Sequence, residues 1–505
     1  MRRDSSDGVK PSGPMRGSAG LALLIAVWAA LTAIRVTGPP DLMDHDQTRP
    51  AMYALDVVVN GNWLCQRDPG DVIASKPPLS TWLAALCSLP QGRVSMFTLY
   101  LPGAISVLVM ALVARGVASR IGGQVAGLFA GMCLLLSWFG ARHIGLARSD
   151  AVFSACVALG AVAAMRAWCT GRGWTWFWLA ASAATLAKGP LGLVLASIGL
   201  LAAAWERDRG PTSLWSGRVW AGALLFAAIT LGWFGAAYAR FGQPLIDKMI
   251  VDELIGHAGP GKRGMPGARL YMQPLYFLAY FAPWSVPALI GLWRTWRRPP
   301  EDKASRRAAR FAACWFLGGL LIFAIGPHQR PDLLLPIIPA AAILAGCEMA
   351  RWRGGRPAGS ALIGCAVVAA TALSGFAWYY HSARMNERDV VHTMGVRDLA
   401  QRLRAMPGIP LPVRTVGETN TFQFYMGTMD RRLSPEEGCA SLAREGPVVV
   451  AVRRHEEFLQ AARGRGISPI EIARWPETGN PFIVVYTNRP ELIGAMERPV
   501  LEAQD

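Results

Sequence analysis

About eleven segments of the chain are apolar and long enough to cross a lipid bilayer as helices. A span needs roughly 20 mostly apolar residues to cover about 30 Å of hydrocarbon. The sequence is 52% hydrophobic and only 17% charged, which disfavours a soluble multidomain protein and rules out a disordered chain. We therefore predict a polytopic α-helical membrane protein. The candidate spans are residues 19–37, 96–118, 122–141, 150–168, 174–187, 189–205, 219–239, 273–293, 311–326, 333–350 and 358–379.

The positions of the basic residues predict how the chain is oriented. The sequence holds 51 Lys and Arg against 34 Asp and Glu, a net charge of +17. Such an excess is typical either of a nucleic-acid-binding protein or of the cytoplasmic loops of a membrane protein. Here it falls on alternate loops, so we predict a cytoplasmic N-terminus and no nucleic-acid partner. The residues concerned are Arg115, Arg120, Arg166, Arg172, Arg207, Arg209, Arg218, Arg294, Arg297, Arg298, Lys303, Arg306, Arg307, Arg310, Arg351, Arg353 and Arg356.

An odd number of spans places the C-terminus on the outer side of the membrane. Beyond residue 380 the long apolar runs stop, and short stretches typical of helices and strands alternate. This pattern predicts a small C-terminal α/β domain. The predicted organisation is a cytoplasmic N-terminus (1–18), a membrane domain (19–380) with outside loops at 38–95 and 240–272, and the α/β domain (381–505).

The first outside loop carries the densest group of polar residues. It contains Asp46, Arg49 and Tyr53, then Lys76 before two prolines that hold the chain extended. Residues 52–59 are predicted to form an interfacial helix, with apolar side chains at the bilayer surface. Carboxylate and cations together suit a phosphate-bearing substrate. A solvated loop with internal salt bridges is an equally good interpretation of these residues alone.

Four further clusters fall on the same side of the membrane. They are Arg142-His143 with Arg148-Ser149-Asp150, then Lys188-Gly189-Pro190, then Glu253 with His257, and finally His328-Gln329-Arg330-Pro331-Asp332. Asp150 could simply cap a helix, and Lys188 could extend towards the membrane surface. Glu253 and His257 are four residues apart and could hold a divalent cation, but two ligands do not make a metal site. Because all five clusters lie on one side, we predict a single site at the outer membrane boundary for a lipid substrate.

Several of these residues stand in motifs of a known family. In chain order the motifs are Asp46-Gln47-Thr48-Arg49, Gly61-Asn62-Trp63, Lys76-Pro77-Pro78-Leu79, Arg148-Ser149-Asp150, Lys188-Gly189-Pro190, Pro283-Trp284-Ser285 and Arg330 to Pro336. Over about residues 19–380 they resemble the dolichyl-phosphate-mannose mannosyltransferase-like (type C) glycosyltransferases, which include bacterial aminoarabinose transferases acting on lipid A. The trailing domain is similar in kind to the periplasmic domain of some members.

The resemblance implies an inverting glycosyltransferase in the bacterial inner membrane, with its active site and C-terminal domain in the periplasm. It would move a sugar from a polyprenyl-phosphate-linked donor to lipid A, another glycolipid or polysaccharide, or a protein. By position, Asp46 and Asp150 would be catalytic, and the donor phosphate would be bound by Arg49, Lys76, Lys188 and Arg330. Substrate-binding residues would include Tyr53, Arg148, Glu253 and His257.

The chain departs from the family pattern at some positions. Gln47 replaces an acid of the opening motif, Ser75 replaces the acid before Lys-Pro-Pro, and Leu333 and Leu334 stand where a tyrosine is expected. In the aminoarabinose transferases the acid before Lys-Pro-Pro can hold a metal together with a downstream histidine. We therefore predict no cofactor, with a divalent cation as the alternative. A non-catalytic polyprenyl-lipid-binding or flippase-type protein remains the competing class.

Overall fold

The structure is a computed structural model that describes residues 15–40, 42, 45–211, 216–256, 265–354, 356–444 and 446–492. The described chain is mostly helical, with one four-stranded sheet near its C-terminal end. The helices of the N-terminal half are α1 (Met15–Thr37), α2 (His45–Asn60), α3 (Leu79–Ser88), α4 (Met96–Leu135), α5 (Trp138–His143), α6 (Ser149–Thr170), α7 (Trp174–Lys188), α8 (Leu191–Ser197), α9 (Leu201–Glu206), α10 (Gly217–Phe241) and α11 (Gln243–Ile246).

The second half of the membrane region is built from five α-helices and three irregular helical segments. A π-helix (Asp247–Ile255) follows α11, a 3-10 helix (Pro331–Ile337) introduces the helix at Ile338, and a second π-helix (Tyr379–Ala383) ends the region. The regular helices are α12 (Met272–Tyr280), α13 (Ser285–Arg297), α14 (Lys303–Ile325), α15 (Ile338–Arg353) and α16 (Ala358–Trp378).

Seven helices of the described chain are long and apolar enough to cross a membrane, and eight if the bent pair α12 and α13 forms one span. The chain is therefore a multi-pass membrane protein. The predicted spans near residues 174–187 and 189–205 correspond to α7, which has 15 residues, and to the short apolar stretch Leu191–Glu206. These are too short to be counted by length alone.

Helix α4 turns back on itself at a glycine pair. Its 40 residues are interrupted at Gly122 (φ −130°, ψ 15°) and Gly123 (φ 81°, ψ 178°), and the second of these conformations is open to glycine but strained for other residues. The two arms then contact each other, because a Cβ on Gly127 would lie 2.7 Å from the Arg115 carbonyl oxygen. The 40-residue helix thus contains two antiparallel arms, which lie at the two sequence-predicted spans 96–118 and 122–141.

Helix α15 lies at the centre of the bundle and packs on the second arm of α4. The approach is close enough that a Cβ on Gly346 would lie 2.5 Å from the backbone nitrogen of Ala130. Small residues permit such contact between membrane helices and gain van der Waals attraction from it. The segment immediately before α15 is buried as well, which fixes the backbone from Pro331 to Ile337 against the core.

Beyond the membrane helices lies a mixed four-stranded sheet in the order β1-β2-β4-β3. Strands β1 and β2 are parallel and the other two pairings are antiparallel. Every residue of β2 and β4 is buried, as expected for central strands covered on both faces. The elements are α17 (Arg388–Ala405), β1 (Arg414–Val416), α18 (Asn420–Met426), α19 (Pro435–Leu442), β2 (Val449–Val452), α20 (His455–Gly464), β3 (Ile470–Trp475) and β4 (Ile483–Thr487).

This C-terminal unit contacts the loop between α1 and α3. The Thr421 hydroxyl donates to the Leu42 carbonyl at 3.1 Å, and the Arg432 amide donates to the Pro69 carbonyl at 2.6 Å. Phe424 joins a buried cluster with Met52 and Leu55 of α2. A helix does form where the interfacial helix was predicted, but most of its apolar side chains are buried in contact with α3 and α18, and only Val59 is half exposed.

Candidate active site

One cavity of about 1050 Å³ collects residues from all five predicted polar clusters. Nine of the ten residues singled out in the sequence line it, and the tenth, His257, lies outside the described residues. The nine are Asp46, Arg49, Tyr53, Lys76, Arg148, Asp150, Lys188, Glu253 and Arg330. Segments separated by almost 300 residues in sequence therefore meet at one place.

Asp46 lies in the first turn of α2 and is held by two arginines. Arg148 donates to its Oδ2 atom at 3.1 Å, and Arg330 donates to the same atom at 2.9 Å. Oδ1 accepts no hydrogen bond from the described part of the chain, and the side chain is 47% exposed. Partial burial opposes ionisation, but the charges of Arg148, Arg330 and Lys76 outweigh it and lower the pKa of Asp46. The carboxylate is therefore ionised at neutral pH, with one oxygen directed to the cavity.

Arg49 and Tyr53 follow Asp46 on the same face of α2, because they stand three and seven residues further along the helix. Burial, together with the nearby Asp68 carboxylate, raises the pKa of Tyr53 against the opposing effect of Arg49. Tyr53 is thus a neutral hydroxyl. Within the described chain Arg49 forms no ion pair, so its guanidinium is available to a ligand in the cavity.

Lys76 enters the cavity from the extended segment before α3. Pro77 and Pro78 behind it are buried and fix the backbone. The ammonium is accessible from the cavity, and no carboxylate of the described residues lies within ion-pair distance. Burial among protein atoms and the nearby Lys188 charge lower the pKa of Lys76, while Asp150, Glu253 and Asp46 partly offset the effect. Lys76 is the second cation on the cavity wall that no acid neutralises directly.

Asp150 and Lys188 form an ion pair across the cavity wall. The Lys188 ammonium donates to Oδ1 of Asp150, and the two side chains are 22% and 11% exposed. Lys188 ends α7, where Gly189 adopts φ 123° and breaks the helix. The two alternatives from the sequence are wrong: α6 begins at Ser149, so Asp150 is inside its first turn and is not the cap, and Lys188 is paired instead of extending to the surface.

Breaking this pair should destabilise the protein. In Lys188→Met the Asp150 carboxylate keeps its burial but loses its donor, so we expect the free energy of unfolding to fall by about 1–3 kcal/mol. Thermal unfolding in detergent measures the effect. The double variant Asp150→Asn with Lys188→Met should recover part of the loss, because no unpaired charge remains. Equal stability of Lys188→Met and the wild type would show that the pair contributes nothing.

The sequence-based site omitted Asp332, although it lies in the fifth cluster. Its Oδ2 accepts from Arg148 at 3.0 Å and its Oδ1 accepts from Arg142 at 3.2 Å. Arg148 therefore bridges two carboxylates, Asp332 on one side and Asp46 on the other. The presence of an aspartate two residues after Arg330 was visible in the sequence, but nothing there identified its partners.

Of the Glu253 and His257 pair that could hold a divalent cation, the structure describes only Glu253. Glu253 lies on the π-helix Asp247–Ile255 and lines the cavity, whereas His257 lies outside the described residues. In the described ranges no group of three or more His, Cys, Asp or Glu residues could hold a metal ion. The described polar groups that line the cavity are carboxylates, guanidinium and ammonium groups, hydroxyls and the imidazole of His328.

Most of the remaining cavity wall is apolar, so the space is amphipathic. The helices α6, α10 and α14 and the first π-helix contribute most of these side chains, among them Val152, Phe153, Phe226, Leu231, Phe234, Ile246, Met249, Ile250, Ile322 and Phe323. Such a wall fits a hydrocarbon chain, and the charged end fits an anionic group with a polar molecule beside it. A carboxylate that shares a cavity with two cations not paired to any acid of the described chain can align a hydroxyl against a phosphate leaving group.

Comparison with known proteins agrees with this geometry. A family profile described as dolichyl-phosphate-mannose-protein mannosyltransferase matches residues 75–233. Two relatives are undecaprenyl phosphate-alpha-4-amino-4-deoxy-L-arabinose arabinosyl transferases, number 1 of Pseudomonas fluorescens and number 2 of Proteus mirabilis. Each is 26% identical, over 62% and 65% of this chain. The matches span 56% and 60% of the relatives' own lengths.

The fold is that of a solved transferase. The crystal structure of ArnT from Cupriavidus metallidurans bound to undecaprenyl phosphate superposes with a TM-score of 0.72 at 17% identity, covering 94% of this chain and 98% of that one. The profile, the relatives and the fold confirm the family resemblance found in the sequence. The chain resembles the type C glycosyltransferases, the family that includes the lipid A aminoarabinose transferases.

Proposed function

We propose that the chain is an inverting glycosyltransferase that moves a sugar from a polyprenyl-phosphate-linked donor to an acceptor of the bacterial envelope. The observation that carries the proposal is the cavity itself, where an ionised carboxylate and two unneutralised cations lie beside an apolar wall. The relatives' names specify an undecaprenyl phosphate donor, and the neighbouring ArnT crystal structure holds undecaprenyl phosphate. The acceptor is lipid A, another glycolipid or polysaccharide, or a protein.

The proposed mechanism needs few groups. Asp46 accepts a hydrogen bond from the acceptor hydroxyl through Oδ1 and aligns it with the anomeric carbon. Because its pKa is lowered, Asp46 is a weak base: it first orients the hydroxyl, and it takes up the proton only as the new bond to the anomeric carbon makes that proton acidic. The bond from the sugar to phosphate oxygen breaks on the opposite face, which inverts the anomeric carbon. Arg49 and Lys76 neutralise the charge that develops on the lipid phosphate.

The remaining residues support these groups. Asp150 is proposed as a second catalytic acid whose charge also holds Lys188 at the phosphate side. Arg330 is shared between the phosphate and Asp46. Tyr53, Arg148, Glu253 and His257 are proposed to contact the sugar or the acceptor. No cofactor takes part in this proposal.

We propose eleven spans in the inner membrane. Seven of these spans are the long helices, with α4 counted for its first arm. The other four are the second arm of α4, α7, α8 together with α9, and the bent pair α12 and α13. This count places the N-terminus in the cytoplasm, with the cavity and the C-terminal α/β domain in the periplasm. The distribution of Lys and Arg supports it. In this arrangement α2 and α3 lie at the periplasmic surface, between the membrane domain (19–380) and the α/β domain (381–505).

The direct test is transfer in proteoliposomes. Purified protein is given undecaprenyl-phosphate-linked aminoarabinose and lipid A, and then donors with other sugars, and products are separated chromatographically. We expect a glycosylated acceptor and release of undecaprenyl phosphate. Movement of the donor between leaflets without any transfer, across the donors tried, would favour a flippase-type protein instead.

The affinity for undecaprenyl phosphate should fall at high pH through Lys76. The ammonium binds the anion only while protonated, and burial together with the Lys188 charge lowers the pKa of Lys76 from the ordinary 10.5. The contribution of Lys76 to binding is therefore lost as the pH rises through that lowered pKa. Binding measured in detergent between pH 7 and 11 should show this decrease in affinity. In Lys76→Arg the decrease should begin at a higher pH, because arginine stays charged. An identical decrease in both proteins would contradict the assignment.

A further inference from the structure

We propose that Asp332 is a positioning residue that fixes Arg148 and, through it, the orientation of the Asp46 carboxylate. The inference rests on the proposed function, since positioning matters only if Asp46 acts on a substrate. Asp332 lines the cavity, but each of its oxygens accepts from a guanidinium, and its side chain is 14% exposed against 47% for Asp46.

The contacts form a chain of alternating charge. Arg142 donates to Asp332 at 3.2 Å, and Arg148 donates to the other oxygen of Asp332 at 3.0 Å. The second terminal nitrogen of Arg148 donates to Asp46 at 3.1 Å. A guanidinium held by one carboxylate can still swing about its long side chain, whereas one held at both terminal nitrogens has a fixed plane. Asp332 therefore helps to hold the Arg148 guanidinium in a fixed orientation between the two carboxylates.

The anchor at Asp332 is itself rigid. It lies in the 3-10 helix Pro331–Ile337, where Leu334, Leu335 and Ile337 are fully buried. The buried Gln273 side chain donates to the Arg330 carbonyl at 3.3 Å, which fixes the backbone just before it. Asp46, in contrast, stands on a surface-side helix with its carboxylate half exposed. Through Arg148, Asp332 thus fixes the position of Asp46 on α2 relative to the buried 3-10 helix.

The segment from 330 to 332 reaches Asp46 by two routes. Arg330 donates directly to Oδ2, and Asp332 acts on the same oxygen through Arg148. Both bonds converge on one oxygen and leave Oδ1 for the acceptor. Losing Asp332 would remove the bond at one terminal nitrogen of Arg148, and the guanidinium could then shift and draw the carboxylate away from that orientation.

A double-mutant cycle on turnover tests the inference. Displacing a reacting group by about 1 Å can lower the reaction rate up to about 100-fold. We therefore expect Asp332→Ala and Arg148→Ala each to lower kcat about 10- to 100-fold. The double variant should lose no more than Arg148→Ala alone, because both substitutions break one link. Asp332→Asn keeps an acceptor oxygen and should be intermediate, and it replaces Asp332→Ala in the cycle if the latter fails to fold.

Two further measurements separate positioning from a general structural role. Undecaprenyl phosphate binding by Asp332→Ala should stay within about threefold of wild type, since Arg49 and Lys76 are untouched, and this small range corresponds to under 1 kcal/mol. The exposed Asp247→Ala is the matched control and should behave as wild type. If the fold-decrease in kcat of the double variant equals the product of the two single decreases, the inference is overturned. It is also overturned if Asp332→Ala weakens undecaprenyl phosphate binding as much as it lowers kcat. Wild-type protein without any transfer contradicts the proposed function instead.

Discussion

Asp46→Asn should lower transfer about 10²- to 10⁴-fold, the range typical of a positioned acid–base group. The amide keeps the shape and one acceptor oxygen, but it loses the charge that Arg148 and Arg330 hold in place. It can neither stabilise the positive charge developing on the sugar nor take up the acceptor proton. The measurement is the initial rate of transfer in proteoliposomes at matched protein amounts.

The control for this substitution lies in the same loop. Asp71 is exposed and pairs only with Arg67 four residues earlier, so Asp71→Asn should keep wild-type rates. Undecaprenyl phosphate binding should survive in Asp46→Asn, and it should be equal or tighter because a negative charge has left the cavity. Full activity of Asp46→Asn at normal expression would remove Asp46 from the mechanism.

Lys76→Ala should weaken binding of undecaprenyl phosphate about 10- to 100-fold, because a charge-assisted hydrogen bond contributes about 1.5–3 kcal/mol. The expected loss is large since no acid of the described chain pairs with Lys76, so its charge is not already neutralised. Transfer at low donor concentration should fall by at least as much. Equilibrium binding and donor-dependent rates on the same preparations measure both.

Lys248→Ala is the matched control for this lysine. Lys248 lies on the first π-helix and pairs with the exposed Asp252, outside the cavity wall. It should leave binding unchanged, and Lys76→Arg should restore most of the affinity. If Lys76→Ala abolishes transfer while donor binding is unchanged, Lys76 serves the reaction in another way and the phosphate role is wrong.

The sequence predicted the location of the site better than its internal contacts. Polar residues beside a membrane are costly, so their collection on one side already indicated a common cavity. The pairing of Asp150 with Lys188 could not be deduced, because it depends on how α6 and α7 approach each other. Asp332 was overlooked for the same reason: its partners stand 184 and 190 residues away.

The fold was predictable where one physical pattern dominated. Apolar length located the spans, including the two arms of α4, which the non-helical turn at Gly122 and Gly123 separates. Strand β3 was not predicted, since most of its residues are only partly buried and its apolar and polar residues alternate weakly. The apolar face of α2 suggested lipid contact, and only the tertiary structure reveals that α18 covers it.

The central claim is that Asp46 and its cavity transfer a sugar from a polyprenyl phosphate to the envelope. Mass spectrometry of envelope lipids and glycans tests it most directly, in cells lacking the protein and in cells supplied with wild type or Asp46→Asn. We expect one glycosylated envelope species that is present with the wild type and absent both without the protein and with Asp46→Asn. Identical lipid and glycan profiles in all three strains, with the protein present in the membrane, would contradict the claim.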